Sequence, residues 1–182
     1  MQTTEPHDTP LESDKPEIEV IDGVGISKVS PKRRHATLQA ALVHRLIPWA
    51  GTERVVGTEW RFRLNEAPGA VTTLIPDIAV VSASRLRAVA EDDIEEPPFA
   101  PDVAIEIRSP STRAQTVATK IERYLQFGAA LILDIDPMAR TIRAHDTGDS
   151  TLFRDGNIFE HAAVPGLRFD TAEYFAAGDF RR

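Results

Sequence analysis

The feature of this sequence that most constrains its fold is a pair of short apolar segments that each combine an acid with an alanine. Asp77 and Ala79 belong to the first segment, Ala104 and Glu106 belong to the second, and most other positions in both are Ile or Val. Successive side chains of a β-strand point to opposite faces, so each acid shares a face with the alanine of its own strand. If the strands are neighbours, the two carboxylates converge on a hollow lined by the alanines. The alternative is that both acids lie on the solvent face of a one-sided sheet.

A hollow with two carboxylates suits a hard divalent cation. Mg²⁺ binds through one or two carboxylates together with water and phosphate oxygens, which makes Asp77 and Glu106 candidate metal ligands. Lys120 lies in the predicted helix after Glu106, three residues beyond Val117 and four before Tyr124. It therefore flanks the apolar stripe of that helix, and its long side chain can reach over the sheet edge towards the carboxylates. An ordinary surface lysine is the alternative.

Apolar periodicity and turn residues predict strands that alternate with helices through the middle of the chain. Asp22-Gly23 lies between two apolar runs and predicts an N-terminal β-hairpin. We therefore expect an α/β fold, with a central mixed β-sheet flanked by helices and with that hairpin at its N-terminal end. The predicted helices are 31–49, 86–90, 114–127 and 171–177, and the predicted strands are 17–21, 24–29, 55–64, 75–81, 102–107 and 131–135, followed by hairpin-like pieces at 140–145, 151–154 and 158–163.

Length and composition narrow the class of protein. The 182 residues suit one domain, and residues 1–16 are rich in charge and proline, so we expect a disordered acidic tail followed by a single domain at 17–182. The absence of cysteine excludes disulfides, cysteine-bound zinc, iron–sulfur clusters and a thiol nucleophile. No apolar run reaches the ~18–20 residues that span a bilayer. The polar start of the chain is unlike a secretory signal, so we expect no membrane association and a cytoplasmic location.

Charge is unevenly distributed along the chain. The formal net charge is −7, yet residues 23–76 carry eight bases against three acids. Three of these bases, Lys32, Arg33 and Arg34, stand at the start of a predicted helix, where they oppose the helix dipole. They form either a patch that faces phosphate groups or a solvated surface. His35 follows them and leans towards the apolar side of the helix, as a substrate contact or as a half-buried histidine.

A set of strings occurs together in one order, and this co-occurrence is far more specific than any single string. The strings are Glu19-Val20-Ile21-Asp22-Gly23, Pro31 with His35, Pro76-Asp77-Ile78-Ala79-Val80-Val81, Ile105-Glu106-Ile107-Arg108-Ser109-Pro110-Ser111-Thr112-Arg113, Lys120 with Tyr124 and Gly128, Leu133-Asp134-Ile135-Asp136-Pro137, and Val164-Pro165-Gly166-Leu167.

Across roughly residues 17–170, these strings resemble the Uma-type ("Uma-two") restriction endonucleases of bacteria, within the PD-(D/E)xK nuclease superfamily. The resemblance implies a restriction-endonuclease-like core and Mg²⁺-dependent hydrolysis of phosphodiester bonds, with Mn²⁺ as a substitute. Asp77 and Glu106 match the two metal-binding acids, and the carbonyl of Ile107 is expected to join them. Lys120 matches a catalytic lysine that this family places on the following helix.

Arg108 departs from the pattern of the family, which usually has an apolar residue there. It occupies the position where the wider superfamily places its lysine. An arginine stays protonated at any working pH, so it can hold a phosphate but is a poor proton acceptor. The sequence therefore leaves open whether Lys120 or Arg108 faces the scissile phosphate.

These observations lead to a functional prediction with two alternatives. We predict a metal-dependent endonuclease that hydrolyses DNA, with a homodimer as a possible assembly. Its contacts to the phosphate backbone are predicted at Lys32, Arg33, Arg34, His35 and Arg108. The alternatives are a catalytically degenerate nuclease fold that serves as a DNA-binding or protein-interaction module, and a paired-carboxylate hydrolase acting on sugars without a metal.

Overall fold

The computed structural model describes residues 18–21, 23–28, 31–67, 70–110 and 114–180. The tail predicted at 1–16 lies outside these residues, and the single domain at 17–182 stays a prediction.

A six-stranded mixed sheet forms the centre of the structure. Its strand order is β10-β9-β8-β7-β6-β3, in which β7 and β8 are parallel and every other neighbouring pair is antiparallel. The α-helix between β7 and β8 makes the crossover that a parallel pair requires. The strands of this sheet are β3 (Arg54–Thr58), β6 (Ile78–Ser82), β7 (Val103–Ile107), β8 (Leu131–Asp136), β9 (Thr141–His145) and β10 (Ser150–Arg154).

A four-stranded antiparallel sheet packs beside it and contains the predicted N-terminal hairpin. Its order is β2-β1-β5-β4, so β1 is flanked by its hairpin partner and by a strand from further along the chain. A separate two-stranded ribbon, β11 with β12, lies near the C-terminus. These strands are β1 (Ile18–Ile21), β2 (Val24–Ser27), β4 (Phe62–Ala67), β5 (Ala70–Leu74), β11 (Ile158–Glu160) and β12 (Arg168–Asp170).

Among the residues that the structure describes, four α-helices accompany the sheets, close to the predicted ranges. The first begins two residues later than predicted, and Gly51 closes it with a positive φ of 55°. The last is capped by Asp170, whose side chain accepts hydrogen bonds from two backbone N–H groups of its first turn. The helices are α1 (Arg33–Ala50), α2 (Ala83–Arg87), α3 (Ala114–Gln126) and α4 (Thr171–Ala176).

Both faces of the six-stranded sheet are buried, which excludes the solvent-face alternative for the two acids. Ile78, Val80 and Ile105 lie on the face that packs against α1 and the C-terminal segment. Ala79 and Ala104 lie on the opposite face, together with the apolar side of α3 and the four-stranded sheet. The predicted alternation of side chains is therefore confirmed, with a hydrophobic layer on each side of the sheet.

The predicted strand 55–64 is wrong as a continuous element, because β3 ends at Thr58 in the six-stranded sheet and β4 begins at Phe62 in the four-stranded sheet. This first break contains Glu59, which has a positive φ of 52°. The predicted strand 75–81 is confirmed over 78–81 as β6, and residues 75–77 form a second break that separates it from β5, a strand absent from the prediction. Pro76 lies in the second break, where it has no N–H to give to a sheet ladder. Between β3 and β6 the chain thus crosses from one sheet to the other twice, and Asp77 lies at the second of these crossings, directly before β6.

The C-terminal strands differ from the predicted series of hairpin pieces in one respect. The piece predicted at 158–163 is the three-residue strand β11, and it pairs with β12 rather than with β10. Within the residues that the structure describes, no helix is long and apolar enough to cross a membrane.

Candidate active site

A cleft of about 480 Å³ opens where β6 begins and β7 ends. The β1–β2 hairpin and the start of α1 form one wall, and the end of β7 with α3 forms the other. The predicted acids Asp77 and Glu106 both line this cleft, and Lys120 lies beside them. All three side chains are buried among the hydrophobic layers.

Asp77 has several hydrogen-bond donors and cations around its carboxylate. Its Oδ2 accepts a hydrogen bond of 2.6 Å from the backbone N–H of Ile107. Its Oδ1 lies 3.1 Å from the ammonium of Lys28 and 3.5 Å from Nε2 of His35. Burial alone would raise the pKa of Asp77, but His35, Lys28 and the Ile107 N–H together lower it to about 2. Asp77 is therefore ionised across the working pH range.

Glu106 has the opposite electrostatic character. Its Oε1 lies 2.6 Å from the ammonium of Lys120 and accepts a hydrogen bond of 2.8 Å from the hydroxyl of Tyr124. Burial is the largest cause of its pKa shift, and Lys120 only partly offsets it. The nearby charges of Asp77 and Glu19 add to the effect, so the pKa of Glu106 is raised to about 7. Burial therefore disfavours the charged form of Glu106, and an added cation would favour it.

Lys120 lies between two carboxylates rather than at the surface. Its ammonium is 2.6 Å from Glu106 Oε1 and 2.8 Å from Glu19 Oε1. These two charges outweigh the effect of burial and hold the pKa of Lys120 above its usual range. One ammonium shared by two acids leaves that part of the cluster one negative charge in excess, which is consistent with the raised pKa of Glu106. A protonated Lys120 donates hydrogen bonds and stabilises added negative charge.

Sequence reasoning missed three contributors to this cleft. Glu19 lies in the predicted hairpin, where the sequence allows either an ordinary hairpin charge or an acid that supports the metal ligands. In the structure it is buried and also accepts a hydrogen bond of 2.7 Å from the backbone N–H of Ile75. Strand alternation could have revealed it, because Glu19 shares a face with the buried Ile21. Tyr124 was assigned only to the apolar stripe of α3. Lys28 has no local sequence signal, since its partners lie more than 30 positions away.

The four basic residues predicted at the start of α1 have different surroundings in the structure. Lys32 and His35 line the cleft, and His35 is next to Asp77. Arg33 instead donates a hydrogen bond of 3.2 Å to the carbonyl of Gly178, and Arg34 lies 3.2 Å from the sulfur of Met138. The two arginines contact segments far along the chain, whereas Lys32 and His35 line the cleft that contains the carboxylates.

Arg108 lies at the rim of the cleft but is bound to a neighbouring strand. Its guanidinium makes a bidentate pair with Asp134, at 2.7 Å from Nε to Oδ1 and 2.5 Å from NH2 to Oδ2. Asp134 is buried on the same face of the sheet as Glu106, which is its register partner across β7 and β8. The fork of Arg108 is therefore engaged, whereas Lys120 contacts Glu106 directly. This geometry favours Lys120 as the residue beside the reacting group.

The donor atoms of the cleft fit a hard divalent cation such as Mg²⁺. No three His, Asp or Glu side chains form a ready-made metal site among the residues described. A cation here would therefore be held by two carboxylates and completed by backbone, water or phosphate oxygens, as Mg²⁺ commonly is. The charges of the cleft also favour a cation, because four carboxylates contact two ammonium groups and negative charge is in excess. Those groups are Glu19, Glu59, Asp77 and Glu106 with Lys28 and Lys120.

The fold and the cleft together define a class of protein. A central mixed sheet that brings two buried carboxylates from adjacent strands to one cleft, with a lysine from the next helix, has the architecture of restriction-endonuclease-like proteins. Residues 4–172 match the sequence model of Uma2, described as "putative restriction endonuclease", and the chain belongs to that family. The resemblance noted in the sequence is thereby confirmed.

A solved structure supports the fold assignment. The chain is similar to the crystal structure of a protein described as a putative nuclease belonging to DUF820, from Anabaena variabilis. The two share 23% sequence identity with a TM-score of 0.78, over 92% of this chain and 94% of the other. At this identity the similarity shows the fold. No curated protein matches the chain.

Proposed function

We propose that this protein is a Mg²⁺-dependent endonuclease that hydrolyses phosphodiester bonds in DNA. The observation that carries the proposal is the unequal pair of buried carboxylates in one cleft. Asp77 is held ionised, while Glu106 keeps a raised pKa and four acids face two lysines. Excess negative charge is costly at the buried acids Glu19, Asp77 and Glu106, and a divalent cation would offset it.

Asp77, Glu106 and the carbonyl of Ile107 are the proposed metal ligands, with Mn²⁺ as a substitute for Mg²⁺. When bound, the cation would polarise the scissile phosphate and lower the pKa of the attacking water. The chain orients these ligands itself. The N–H of Ile107 occupies Oδ2 of Asp77, and the hydroxyl of Tyr124 occupies Oε1 of Glu106. Lys28 also contacts Asp77 Oδ1 and Lys120 also contacts Glu106 Oε1, so a cation would use the lone pairs that these donors leave on the two carboxylates.

Lys120 is the proposed catalytic lysine. It is buried, protonated and in direct contact with Glu106, so it can donate to the reacting phosphate group and stabilise the charge that develops there. Lys32 and Arg108 lie at the rim of the same cleft, where their charges are proposed to hold the phosphate backbone on either side. His35 is proposed to position Asp77, whose Oδ1 is 3.5 Å from its ring nitrogen.

The test is cleavage of supercoiled plasmid DNA by the purified protein with Mg²⁺ or Mn²⁺ and with chelator. We expect nicking that requires the metal and disappears in Glu106→Gln. Measuring DNA binding in parallel separates the proposal from a degenerate module. Binding without cleavage by the wild type, under all metal conditions, would assign the protein to that alternative class. RNA of the same sequence, tested alongside, checks the proposed preference for DNA.

Two further properties belong to the same proposal. A cytoplasmic location would give the protein access to DNA, and localisation of a tagged chain checks it. A homodimer would bring two clefts to one duplex. Light scattering of the purified protein, with and without DNA, measures that assembly directly.

A further inference from the structure

The ammonium of Lys28 lies in a cage of oxygen atoms beside Asp77. It donates to the carboxylate of Glu59 and to the carbonyl of Ile75 at 2.8 Å, and it lies 3.1 Å from Oδ1 of Asp77. Two carboxylates and one backbone carbonyl are oxygen donors of the kind that bind hard divalent cations. The three N–H bonds of an ammonium match these three oxygens. A cation is thus built into the chain at a place where the donors would suit a metal ion.

The cage is fixed by a network that includes a strained residue. Glu59 has a positive φ of 52°, which is costly for a side chain of its kind. Its backbone N–H donates to the carbonyl of Asp77 at 3.3 Å. The amide of Gln39 donates to Glu59 Oε1 at 3.0 Å and to the same carbonyl of Asp77 at 2.7 Å. The network holds the Glu59 carboxylate in line with Lys28 and Asp77.

We propose that Lys28 takes the place of a second divalent cation, so that this cleft binds one metal ion rather than two. The inference rests on the proposed function, since it assumes that Asp77 and Glu106 bind a metal. The charges agree with it. When all four carboxylates are ionised, the two ammonium groups leave two negative charges, which one divalent cation neutralises. Lys28 is a positioning residue here, because it acts on the phosphate chemistry only through Asp77.

Lys28 and Lys120 both pair with two acids, but their other partners differ. The ammonium of Lys120 contacts two carboxylates, from Glu106 and Glu19, on the other side of the cleft. Lys28 has in addition a backbone carbonyl among its partners. Removing Lys28 therefore leaves a cage with a carbonyl and two carboxylates, one of them a proposed ligand of the first metal. Removing Lys120 leaves the two carboxylates of Glu106 and Glu19.

The experiment is a titration of the full-length protein with Mn²⁺, followed by calorimetry and by the electron paramagnetic resonance of free Mn²⁺. We expect about one ion per wild-type chain. In Lys28→Met the Glu59, Ile75 and Asp77 oxygens are released, and we expect about two ions per chain. Lys32→Met removes a lysine from the same wall without touching the cage and is expected to bind one. Lys28→Met/Glu59→Gln removes a carboxylate from the cage and is also expected to return to one.

The outcomes are distinct. Two ions in the wild type would overturn the inference and leave the proposed function standing, and this measurement needs no variant. A wild type that binds no ion would overturn both. One ion in a folded Lys28→Met, shown by an unchanged circular dichroism spectrum, would reduce Lys28 to an ordinary ion pair and overturn the inference. A shift from one ion to two that Glu59→Gln reverses would support it.

Discussion

The two halves of the cleft contain similar groups, yet the pKa values of their acids shift in opposite directions. On each side a buried carboxylate contacts a lysine at about hydrogen-bond distance, 3.1 Å for Asp77 and 2.6 Å for Glu106. Yet the pKa of Asp77 is lowered to about 2 and that of Glu106 is raised to about 7.

The difference lies in the other neighbours of each carboxylate. Asp77 also receives the N–H of Ile107 and faces His35, so donors outnumber competing acids. Burial is the largest influence on Glu106, which shares Lys120 with Glu19 while Asp77 adds further repulsion. A lysine nearby is therefore not enough to keep a buried carboxylate ionised. The balance of all nearby donors and charges lowers the pKa of Asp77 and raises that of Glu106.

The largest expected effect is on the Glu106 side. If Lys120 stabilises charge on the reacting phosphate, Lys120→Met should reduce the single-turnover rate by about 10²–10⁴-fold, with little change in DNA affinity. The matched variant is Arg108→Leu, which should cost much less because Asp134 already binds that guanidinium. Cleavage of labelled duplex under single-turnover conditions measures both.

Melting curves must accompany that experiment. Lys120→Met leaves the carboxylates of Glu106 and Glu19 without their shared cation, and breaking a buried pair typically costs about 3–5 kcal/mol. Rates are therefore compared below the melting point of the variant, with metal present. A Lys120→Met protein that cuts at the wild-type rate beside an inactive Arg108→Leu would transfer the catalytic role to Arg108.

The comparison predicts different pH responses for the two acids in chelator. The lowered pKa of Asp77 provides stability that is present above pH 3.8 and is lost as the pH falls towards 2. The raised pKa of Glu106 provides stability that is present below pH 4.5 and is lost as the pH rises towards 7.

Asp77→Asn should therefore destabilise the protein at neutral pH by about 2 kcal/mol and flatten its response to acid. Glu106→Gln should instead flatten the decline between pH 4.5 and 7. Urea midpoints from pH 2 to 8 measure both slopes. Identical pH profiles for the two variants would contradict the contrast between the halves of the cleft.

Two buried tyrosines allow a finer test of the Glu106 side. The hydroxyl of Tyr124 donates to Glu106 Oε1, so Tyr124→Phe should destabilise the protein by about 1 kcal/mol. The hydroxyl of Tyr174 has no hydrogen-bond partner among the residues described, and Tyr174→Phe should be neutral or slightly stabilising. Chemical denaturation gives both values. A larger loss at Tyr174 than at Tyr124 would show that the hydrogen bond to Glu106 contributes little.

The smallest expected effects concern the start of α1. Lys32 lines the cleft, so Lys32→Gln should reduce the salt dependence of DNA binding by about one unit of slope. Arg33 and Arg34 contact Gly178 and Met138 instead, so Arg33→Gln and Arg34→Gln should leave the slope unchanged. Binding isotherms across a salt series measure these slopes. If the variant with Lys32, Arg33 and Arg34 all replaced by Gln lost about three units of slope, the three residues would form one phosphate-binding patch, as one interpretation of the sequence predicted.

Much of this site could be predicted from alternation in two strands. The shared face of Asp77 and Ala79, and that of Ala104 and Glu106, follows from a period of two and holds in the structure. The contacts of Lys120 with Glu106 follow from its place beside an apolar helical stripe.

What could not be predicted depends on contacts between distant segments. The break at Glu59 needs a left-handed backbone that no glycine or asparagine there indicates, and the environment of Lys28 is formed by oxygens of Glu59, Ile75 and Asp77, more than 30 positions away. The pairing of Arg108 with Asp134 depends on the parallel register of β7 and β8. A local pattern carries no information about such a register.

The separation of the cleft residues along the chain has a consequence for folding kinetics. Glu19 and Lys120 are in contact, yet about a hundred positions separate them. Contacts that close loops of this length are formed late, after local and sheet contacts have offset their entropic cost. Substitutions in the cleft should therefore leave the refolding rate nearly unchanged and accelerate unfolding instead. The charged centre of this protein can then vary in sequence without slowing the route by which the chain reaches its fold.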